Sequence, residues 1–347
     1  MKFLTKLALL AAAGAGVAIV RRRLNPPLPY DFRGKSVLIT GGSRGLGLVL
    51  AREFAAEGAL LTLVARDSEE LEQARQELAA SGADVLAFTC DVRDEREAAN
   101  AIERAVARYG GIDVLVNNAG VIQAGPVEHM QTTDFEDALA THMWGPLYTM
   151  RAAAPHMRRQ GQGRIVNISS IGGKVAVPHL VPYTTSKFAL AGLSDGMRAE
   201  LAKDGISVTT VFPGLMRTGS HFNAMFKGQH GKEFTWFSII DALPVSSTDA
   251  QTAARQIVEA ARAGSPQLVI SFQAKALAAL QALFPHAMSG ALKAINWFLP
   301  APTDDFSGDS NRTGWESQTP LAPSVLTQLA DRATEDNNGM HGQPAVS

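Results

Sequence analysis

Tyr183 and Lys187 lie four residues apart in the sequence. On a helix, this spacing places both side chains on one face. An ammonium beside a phenol favours the phenolate, so Lys187 is expected to lower the pKa of Tyr183 from about 10. Tyr183 could then exchange a proton with a carbonyl/alcohol couple, and such general acid–base help is worth roughly 10²–10⁴ in rate. Ser170, thirteen positions before Tyr183, and a glycine-rich turn near residue 41 strengthen this interpretation and indicate a redox enzyme.

The glycine-rich turn is placed between a strand and a helix. A short apolar run over residues 35–40 leads into the turn, which spans Gly41 to Gly47, and a helical pattern runs from Leu48 to Glu57. This order is typical of dinucleotide binding. Glycines let the backbone approach a pyrophosphate closely, and the helix N-terminus supplies free amides and a favourable dipole. The alternative is an ordinary tight turn between a strand and a helix.

Strand-like and helical runs alternate along the rest of the domain. Strands are predicted at Ala59–Ala65, Asp84–Phe88, Val114–Val116, Arg164–Ile168, Ser207–Val211 and Gln267–Ser271, and helices at Glu69–Ala80, Asp94–Tyr109, Phe135–Gln160 and Tyr183–Lys203. Repeated β-α units imply an α/β fold, a single Rossmann-like doubly wound parallel sheet flanked by helices. In such sheets, ligands bind outside the carboxyl ends of the strands. The predicted domain covers residues 31–272.

Together these motifs resemble the short-chain dehydrogenase/reductases over approximately Asp31 to Phe272. The motifs are the turn from Thr40 to Gly47, Asp91-Val92, Asn117-Asn118-Ala119-Gly120, Ser170, Tyr183 with Lys187, and Pro213-Gly214 with Thr218. The resemblance implies that Tyr183 is the catalytic acid/base and that Lys187 lowers its pKa and holds the nicotinamide ribose. It also implies that Ser170, rather than Ser169, binds the substrate oxygen. Relatives commonly pair through two helices, so a homo-oligomer is expected.

The resemblance also implies a cofactor site. Its residues would be Gly41, Ser43, Arg44, Gly45, Leu46, Gly47, Arg66, Asp91, Val92, Asn118, Ala119, Gly120, Tyr183, Lys187, Pro213, Gly214 and Thr218. Asp91 would face the adenine, Asn118 and Gly120 would line the adenosine side, and Thr218 would touch the nicotinamide carboxamide.

One position departs from the family pattern, because His142 stands where relatives usually carry Asn. In the family, that residue acts largely through its backbone carbonyl, so an active enzyme is still expected. Three other interpretations stay open. His142 could prop the helix differently, contribute a proton-exchanging imidazole, or be merely a tolerated helix residue. The departure also leaves weak or absent catalysis as an alternative.

The cofactor choice depends on what meets the adenosine ribose. The second predicted strand ends at Ala65, where NAD-preferring relatives usually carry Asp, and Arg66 follows. An acid there would repel the 2′-phosphate of NADP. Arg66 and Arg44 could instead clamp that phosphate, and no acid is expected to oppose them. We therefore expect NADP(H) rather than NAD(H), although a register shift of one residue would bring Asp67 closer.

Residues 1–30 form a predicted apolar anchor or leader with a proline-rich linker. Fourteen apolar or small residues, Leu7 to Val20, precede three arginines, Arg21 to Arg23. With Phe3 and Leu4 included, the helix would reach ~27 Å, close to the hydrocarbon thickness of a bilayer. Arginines after such a segment are typical of a stop at the cytoplasmic face. The sequence thus predicts a membrane-associated enzyme with its catalytic domain facing the cytoplasm, and a soluble or peripheral cytoplasmic protein is the alternative.

Two segments follow the domain. Residues 273–300 are apolar at helical spacing, which suits a membrane interface, packing on the domain or contact with a second subunit. Residues 301–347 are polar and predicted to lack a stable fold, apart from a short helix at Pro323–Ala333.

The variable segment between Gly214 and Pro244 is rich in large apolar side chains: Phe222, Met225, Phe226, Phe234, Trp236 and Phe237. It predicts a pocket for a hydrophobic substrate, and the alternative is a satellite core or a dimer contact. His179 could reach the substrate or face water.

Several classes of site and partner are unsupported. The single cysteine, Cys90, excludes an internal disulfide and is expected to be buried and inert. The histidines lack metal-ligand spacing, and the net charge of −1 argues against nucleic acid as a partner. The sequence therefore predicts an NADP-dependent oxidoreductase for an apolar carbonyl/alcohol pair. Two alternatives stay open: a regulatory or scaffold protein with lost turnover, and an epimerase or dehydratase.

Overall fold

The computed structural model describes residues 30–243 and 247–340. The chain divides into a unit Phe32–Ser347 and a short unit Met1–Asp31. The anchor and most of the linker predicted for residues 1–30 lie outside the described residues. Among the residues that are described, no helix is both long enough and apolar enough to cross a membrane.

A seven-stranded sheet forms the centre of the larger unit. Its strands are β1 Ser36–Thr40, β2 Leu60–Ala65, β3 Val85–Thr89, β4 Val114–Asn117, β5 Gly163–Ile168, β6 Ile206–Pro213 and β7 Gln267–Ile270. They are parallel and ordered β7-β6-β5-β4-β1-β2-β3. The order reverses between β1 and β4, which is where a doubly wound sheet opens a crevice for a ligand.

Helices cover the sheet. They are α1 Gly45–Ala56, α2 Ser68–Ala80, α3 Glu95–Tyr109, α4 Thr132–Leu139, α5 Gly145–Gln160, α6 Val181–Leu201, α7 His230–Ala242 and α8 Ala250–Ala263. Several begin at acids that accept hydrogen bonds from the first free amides, as Asp67 does for α2 and Asp94 for α3. Ile102 of α3 and Met150 of α5 pack against the fully buried Leu115 and Ile165 of the sheet. The predicted Rossmann-like fold is confirmed.

The long helix predicted at Phe135–Gln160 is interrupted. A five-residue π-helical turn, Ala140–Trp144, joins α4 to α5, and His142 lies at its centre. Such turns are frequent at functional sites, because they re-aim the side chains that they carry.

Beyond β7, the structure contains the helical extension predicted for residues 273–300, and the tail after it has more structure than the sequence suggested. Helices α9 Phe272–Leu283 and α10 Pro285–Asn296 make up the extension, and α11 Gln328–Asp336 lies near the end of the described chain. The prediction of an unstructured tail over 301–347 must be corrected for residues 301–340. Trp315 stacks on Phe222 at a ring distance of 4.0 Å, and Arg312–Thr313 pairs with Met225–Phe226. A few apolar side chains, such as Trp315, are enough to fix this polar segment on the domain. The average composition of the segment does not show their contribution.

Candidate active site

Helix α6 brings the predicted catalytic residues together. It begins at Val181, so Tyr183 and Lys187 lie one turn apart in its first half, and both line the same cavity as Ser170. The Lys187 Nζ donates to the carbonyl of Ile168 at 3.0 Å, at the end of β5. The Ser169 hydroxyl instead donates to the Lys187 carbonyl at 3.0 Å. Both serines line the cavity, but the Ser169 hydroxyl is engaged by the helix backbone, and Ser170 is the serine that hydrogen-bonds Tyr183.

The pKa of Tyr183 moves in the direction opposite to the prediction. Burial raises it above its ordinary value, and a side-chain hydrogen bond with Ser170 opposes that shift. Lys187 is too weak a cation to reverse the shift, because burial lowers its own pKa to about 7. Its Nζ also lies 5.5 Å from the centre of the Tyr183 ring. Tyr183 thus remains a protonated phenol at neutral pH.

His142 is a buried, fully bonded imidazole. The Val121 amide donates to its Nε2 at 3.1 Å, so Nε2 carries no proton. Its Nδ1 lies 2.7 Å from the Ser186 hydroxyl, which in turn lies 2.8 Å from the Tyr183 carbonyl. The hydrogen bonds therefore run from Val121 through His142 and Ser186 to Tyr183, with the proton of His142 on Nδ1.

The electrostatics of His142 exclude a charged ring. Burial lowers its pKa well below the ordinary value, and the nearby charge of Lys187 lowers it further. Its ring stands edge-on to that of Tyr183, at a centroid distance of 5.6 Å. Among the interpretations left open, the structure supports a prop for the helix that carries Tyr183 and gives no support to a proton-exchanging imidazole.

Two positions of the glycine-rich turn, Gly41 and Gly47, have no room for any side chain. A Cβ on Gly47 would lie 1.9 Å from the Gly41 carbonyl, and a Cβ on Gly41, whose φ is +63°, would lie 2.9 Å from the Cα of Ala119. Asn118 closes this arrangement, since its side-chain amide donates to the carbonyls of Thr40 and Gly41 at 3.1 and 3.0 Å. The turn and the end of β4 thus form one rigid cradle.

At the other end of the cavity, Arg44 is not free. Its guanidinium pairs with Glu70, and the Ser43 hydroxyl donates to the same carboxylate at 2.9 Å. The Glu70 side chain is only 2% exposed, whereas that of Arg44 is 37% exposed. The expectation that no acid opposes the arginines is therefore wrong. The sequence does not predict this ion pair, because Glu70 has the features of an ordinary acidic residue in the first turn of α2.

Arg66 and Asp67 are neighbours in the sequence but make different contacts. Arg66 is exposed at the end of β2 and lines the cavity. Asp67 also lines the cavity, but its carboxylate accepts from the amides of Glu69 and Glu70, both at 2.9 Å. The strand β2 ends at Ala65, which pairs with Thr89, so the strand ends at the predicted residue. Asp67 therefore caps α2.

Asp91 also lines this end, beside Arg66. Its carboxylate binds Arg93, and that hydrogen bond holds the pKa of Asp91 below its ordinary value.

The last described residues, 328–340, which we call the C-terminal strap, lie over the glycine-rich turn. The Gly45 amide donates to the Asn337 carbonyl at 2.9 Å. The Asn338 side chain donates to the carbonyls of Ser43 and Glu70 at 2.9 and 3.1 Å. Gly45 was predicted to bind the cofactor, but its backbone amide donates to Asn337 in this structure and is not available to a ligand.

The cavity has a volume of about 930 Å³ and runs from Arg66 past Tyr183. Most of the predicted cofactor residues line it: Gly41, Ser43, Arg44, Gly45, Leu46, Arg66, Asp91, Val92, Asn118, Ala119, Gly120, Tyr183, Lys187, Gly214 and Thr218. Gly47 and Pro213 are not among the lining residues. Gly47 acts through close packing, and Pro213 ends the buried strand β6.

The aromatic residues of the variable segment serve two roles. Trp236 and Phe237 line the cavity. Phe222, Phe226, Phe234 and Phe237 are buried in a satellite core with Trp315, and Trp236 packs against that core. Met225 is 38% exposed. The pocket interpretation therefore holds for Trp236 and Phe237, and the satellite-core alternative holds for all four phenylalanines, including Phe237.

His179 does not face the substrate space. Its Nδ1 lies 2.9 Å from the carboxylate of Glu233, and the Trp236 indole donates to the same carboxylate at 2.7 Å. Glu233 is fully buried at the start of α7. This interaction ties the loop before α6 to the helix that supplies Trp236.

Two remaining expectations concern the reactivity of Cys90 and the binding of a metal ion. Cys90 is buried, and burial together with nearby acids raises its pKa to about 12, which makes the thiol unreactive. Within residues 30–243 and 247–340, no group of three or more His, Cys, Asp or Glu side chains could hold a metal ion.

The sequence profile of the short chain dehydrogenases matches residues 35–225, which is more than half of the chain. The chain belongs to this family. Gluconate 5-dehydrogenase of Gluconobacter oxydans is 32% identical over 56% of this chain and 76% of its own length. 3-Ketodihydrosphingosine reductase of Mus musculus is 33% identical over 59% of this chain and 64% of its own length.

The crystal structure of levodione reductase supports the same assignment. It matches this short-chain dehydrogenase with a TM-score of 0.62 and 27% identity, over 71% of this chain and 99% of the reductase. The family uses a nicotinamide cofactor, and the cradle of Gly41, Gly47 and Asn118 fits such a group. The substrates named for these relatives range from a sugar acid to a sphingoid base, so the relatives do not agree on one substrate.

Proposed function

We propose that this protein is an NADP(H)-dependent reductase of hydrophobic carbonyl compounds, with Tyr183 as the proton donor. The observation that carries the proposal is the protonated Tyr183 phenol, hydrogen-bonded to Ser170 on the wall of the cavity that also contains the glycine cradle. A protonated tyrosine can give its proton to the strongly basic alkoxide that hydride transfer leaves, which is what reduction of a ketone requires.

In this mechanism, the bound nicotinamide supplies the hydride. The Ser170 and Tyr183 hydroxyls would hold the substrate oxygen, and Tyr183 would protonate it as negative charge develops. Lys187 would orient the nicotinamide ribose and help to restore the proton of Tyr183, since its pKa of about 7 lets it carry a proton near neutral pH. Thr218 lines the cavity and would bind the carboxamide.

The preference for NADP(H) over NAD(H) rests on the arginines at the adenosine end. Arg66 is exposed on the cavity wall, and Asp67 is occupied as a helix cap. Glu70 neutralises part of the charge of Arg44, but it also fixes the guanidinium beside the glycine-rich turn. Because Glu70 pairs with Arg44 and Asp91 pairs with Arg93, the exposed Arg66 is the group proposed to bind a 2′-phosphate.

The substrate would be apolar. Trp236, Phe237 and Ile240 from α7 line the cavity together with Leu277 and others from the C-terminal extension. Such a wall favours a hydrophobic ketone over a sugar acid. 3-Ketodihydrosphingosine reductase and levodione reductase, which are similar to this chain, are both named for the reduction of ketones.

Two further expectations are kept as proposals. Trp144 and Phe188, each 44% exposed, lie next to α5 and on α6, where relatives pair, and would support a homo-oligomer. The apolar run followed by three arginines in residues 1–30 would attach the protein to a membrane with the catalytic domain on the cytoplasmic side. A regulatory role without turnover rested on His142, whose bonded geometry offers it no support.

The test is oxidation of NADPH and NADH by the full chain with a panel of apolar ketones, aldehydes and quinones. Turnover with NADPH should fall by about 10²–10⁴ in Tyr183→Phe, while NADPH still binds. Tyr148→Phe, on α5, is the matched control and should retain activity. NADPH binding without turnover of any compound would contradict the reductase. Conversion of substrate without net consumption of cofactor would instead indicate an epimerase or dehydratase.

A further inference from the structure

The hairpin of α9 and α10 leaves most of its apolar surface uncovered. Within these two helices, only Ala274 and Met288 are buried. The side chains that we call the apolar rim are Phe272, Leu283, Phe284, Trp297 and Phe298, with exposed fractions of 81%, 71%, 57%, 90% and 89%. Concentrated exposure of large apolar side chains marks an interaction surface.

The charges on this hairpin are of one sign. From Phe272 to Thr303 the sequence has no Asp or Glu, while Lys275 and Lys293 supply two positive charges. Both lysines are exposed. Aromatic and aliphatic side chains combined with lysines and no acids are complementary to the headgroup region of an anionic bilayer.

The same hairpin forms part of the active-site wall. Leu277 of α9, Ile295 of α10 and the nearby Leu299 line the cavity that contains Tyr183. Leu277 and Ile295 are themselves 40% and 49% exposed, so they border both the cavity and the outer surface. An apolar molecule at the rim could therefore reach the cavity along a continuous apolar path.

We propose that the α9–α10 hairpin lies in the interface of an anionic lipid bilayer and that the cavity receives its apolar substrate directly from that layer. The rim side chains enter the boundary between headgroups and acyl chains, and Lys275 and Lys293 extend their ammonium groups to lipid phosphates. The membrane contact stands independently, and only the delivery of substrate rests on the proposed function.

The contact is tested by the fluorescence of Trp297 in the full chain. Subtracting the emission of Trp297→Phe from that of the wild type isolates this residue from the other three tryptophans. On vesicles of phosphatidylglycerol and phosphatidylcholine, Trp297 should be quenched by lipids brominated near the headgroup and protected from aqueous iodide. Because the readout is local, attachment through residues 1–30 cannot imitate it.

Two results would overturn the contact. Trp297 could remain open to iodide when vesicles are present, which leaves the hairpin in water. It could also be shielded without vesicles, in which case protein covers the surface. Dependence on protein concentration would then identify a second copy of the chain, and independence would identify residues 1–30.

Charge and delivery are tested with separate variants. Lys275→Glu with Lys293→Glu should reduce the quenching of Trp297 on phosphatidylglycerol vesicles. Trp297→Ser with Phe298→Ser should lower kcat/KM for a vesicle-embedded ketone by about tenfold, and leave a water-soluble ketone unchanged. Phe306→Ser removes an aromatic that is 90% exposed outside the hairpin and is the matched control. Equal losses on both ketones would contradict delivery from the membrane, whereas absence of any turnover would refute the proposed function and leave the fluorescence result intact.

Discussion

The two ends of the cavity are built on different principles. At the reacting end, Tyr183 and His142 are neutral at pH 7, and Lys187 is only partly charged. Each of the three is fixed by hydrogen bonds to the backbone or to serine hydroxyls. At the adenosine end, the residues are charged, and Arg44 and Arg66 keep open faces toward solvent. The first end holds its geometry with neutral groups, and the second holds it with opposed charges.

This difference has a physical reason. A proton donor must keep one protonation state and one position, so burial and bonded neighbours suit it. A phosphate site must attract a ligand from water, which requires accessible positive charge. Changes at the reacting end should therefore affect the rate of turnover, and changes at the adenosine end should affect cofactor affinity.

The largest effect is expected for Lys187→Met at the reacting end. Loss of the ammonium removes the group that orients the ribose and restores the proton of Tyr183. Turnover should fall by roughly 10²–10⁴. Steady-state oxidation of NADPH measures the loss, and Lys174→Met, near the same loop but outside the cavity lining, is the control.

The same variant tests the low pKa of Lys187 through stability. Because its folded pKa of about 7 lies below the unfolded value of about 10.4, the folded chain binds fewer protons between these limits. The free energy of unfolding should thus rise with pH by up to about 1.4 kcal/mol per unit in this window, relative to Lys187→Met. Urea titrations at pH 6.5, 8 and 9.5 measure it, and parallel pH profiles would refute a lowered pKa.

The next largest effect is expected for His142→Ala. We expect this substitution to act by disturbing the position of neighbouring groups and not by removing a proton-transfer group. The change leaves the Val121 amide without its acceptor and empties a buried space, which costs about 1–3 kcal/mol for the unsatisfied group alone. Thermal unfolding measures this cost. The shape of the pH profile of kcat should stay that of the wild type, and loss of a titrating limb would make His142 a proton-transfer group after all.

The reacting end could be predicted from sequence because its geometry is local. Tyr183 and Lys187 share one helix, and the glycine-rich turn is continuous in the chain. The fold followed from alternating β and α patterns whose apolar runs became β1 to β7 within one or two residues. Even so, the direction of the Tyr183 pKa shift was mispredicted, because spacing shows a neighbouring cation but not how deeply both groups are buried.

The adenosine end could not be predicted because its contacts join distant positions. Asn338 binds Ser43 across 295 residues of chain, and Glu70 binds Arg44 across 26. Trp315 and Phe222 likewise meet only after the tail returns to the domain. No periodicity or spacing encodes such pairs, and the polar composition of residues 301–340 favoured a chain without fixed structure.

Arg66→Ala tests the charge of the adenosine end. Removing one charge-assisted hydrogen bond to a 2′-phosphate costs about 1.5–3 kcal/mol, or roughly tenfold to a hundredfold in affinity. The dissociation constant of NADPH should therefore rise by that factor, while that of NADH hardly changes. Titration of intrinsic fluorescence with each cofactor measures both, with Arg75→Ala on the exposed face of α2 as the control. Equal losses for the two cofactors would mean that Arg66 does not meet the phosphate.

The smallest effect is expected for Asn338→Ala in the C-terminal strap, at the boundary of the adenosine end. The Asn338 side chain ties the strap to Ser43 and Glu70 with two hydrogen bonds, so its loss should loosen the cover over the turn without touching the reacting end. Each bond is worth about 0.5–1.5 kcal/mol, which predicts a threefold to tenfold faster release of NADPH and an unchanged rate of hydride transfer in single-turnover measurements. Asn311→Ala, an exposed asparagine earlier in the tail, is the matched control. If the single-turnover rate fell as much as release accelerated, the two ends would be coupled, and the division between a neutral reacting end and a charged binding end would have to be abandoned.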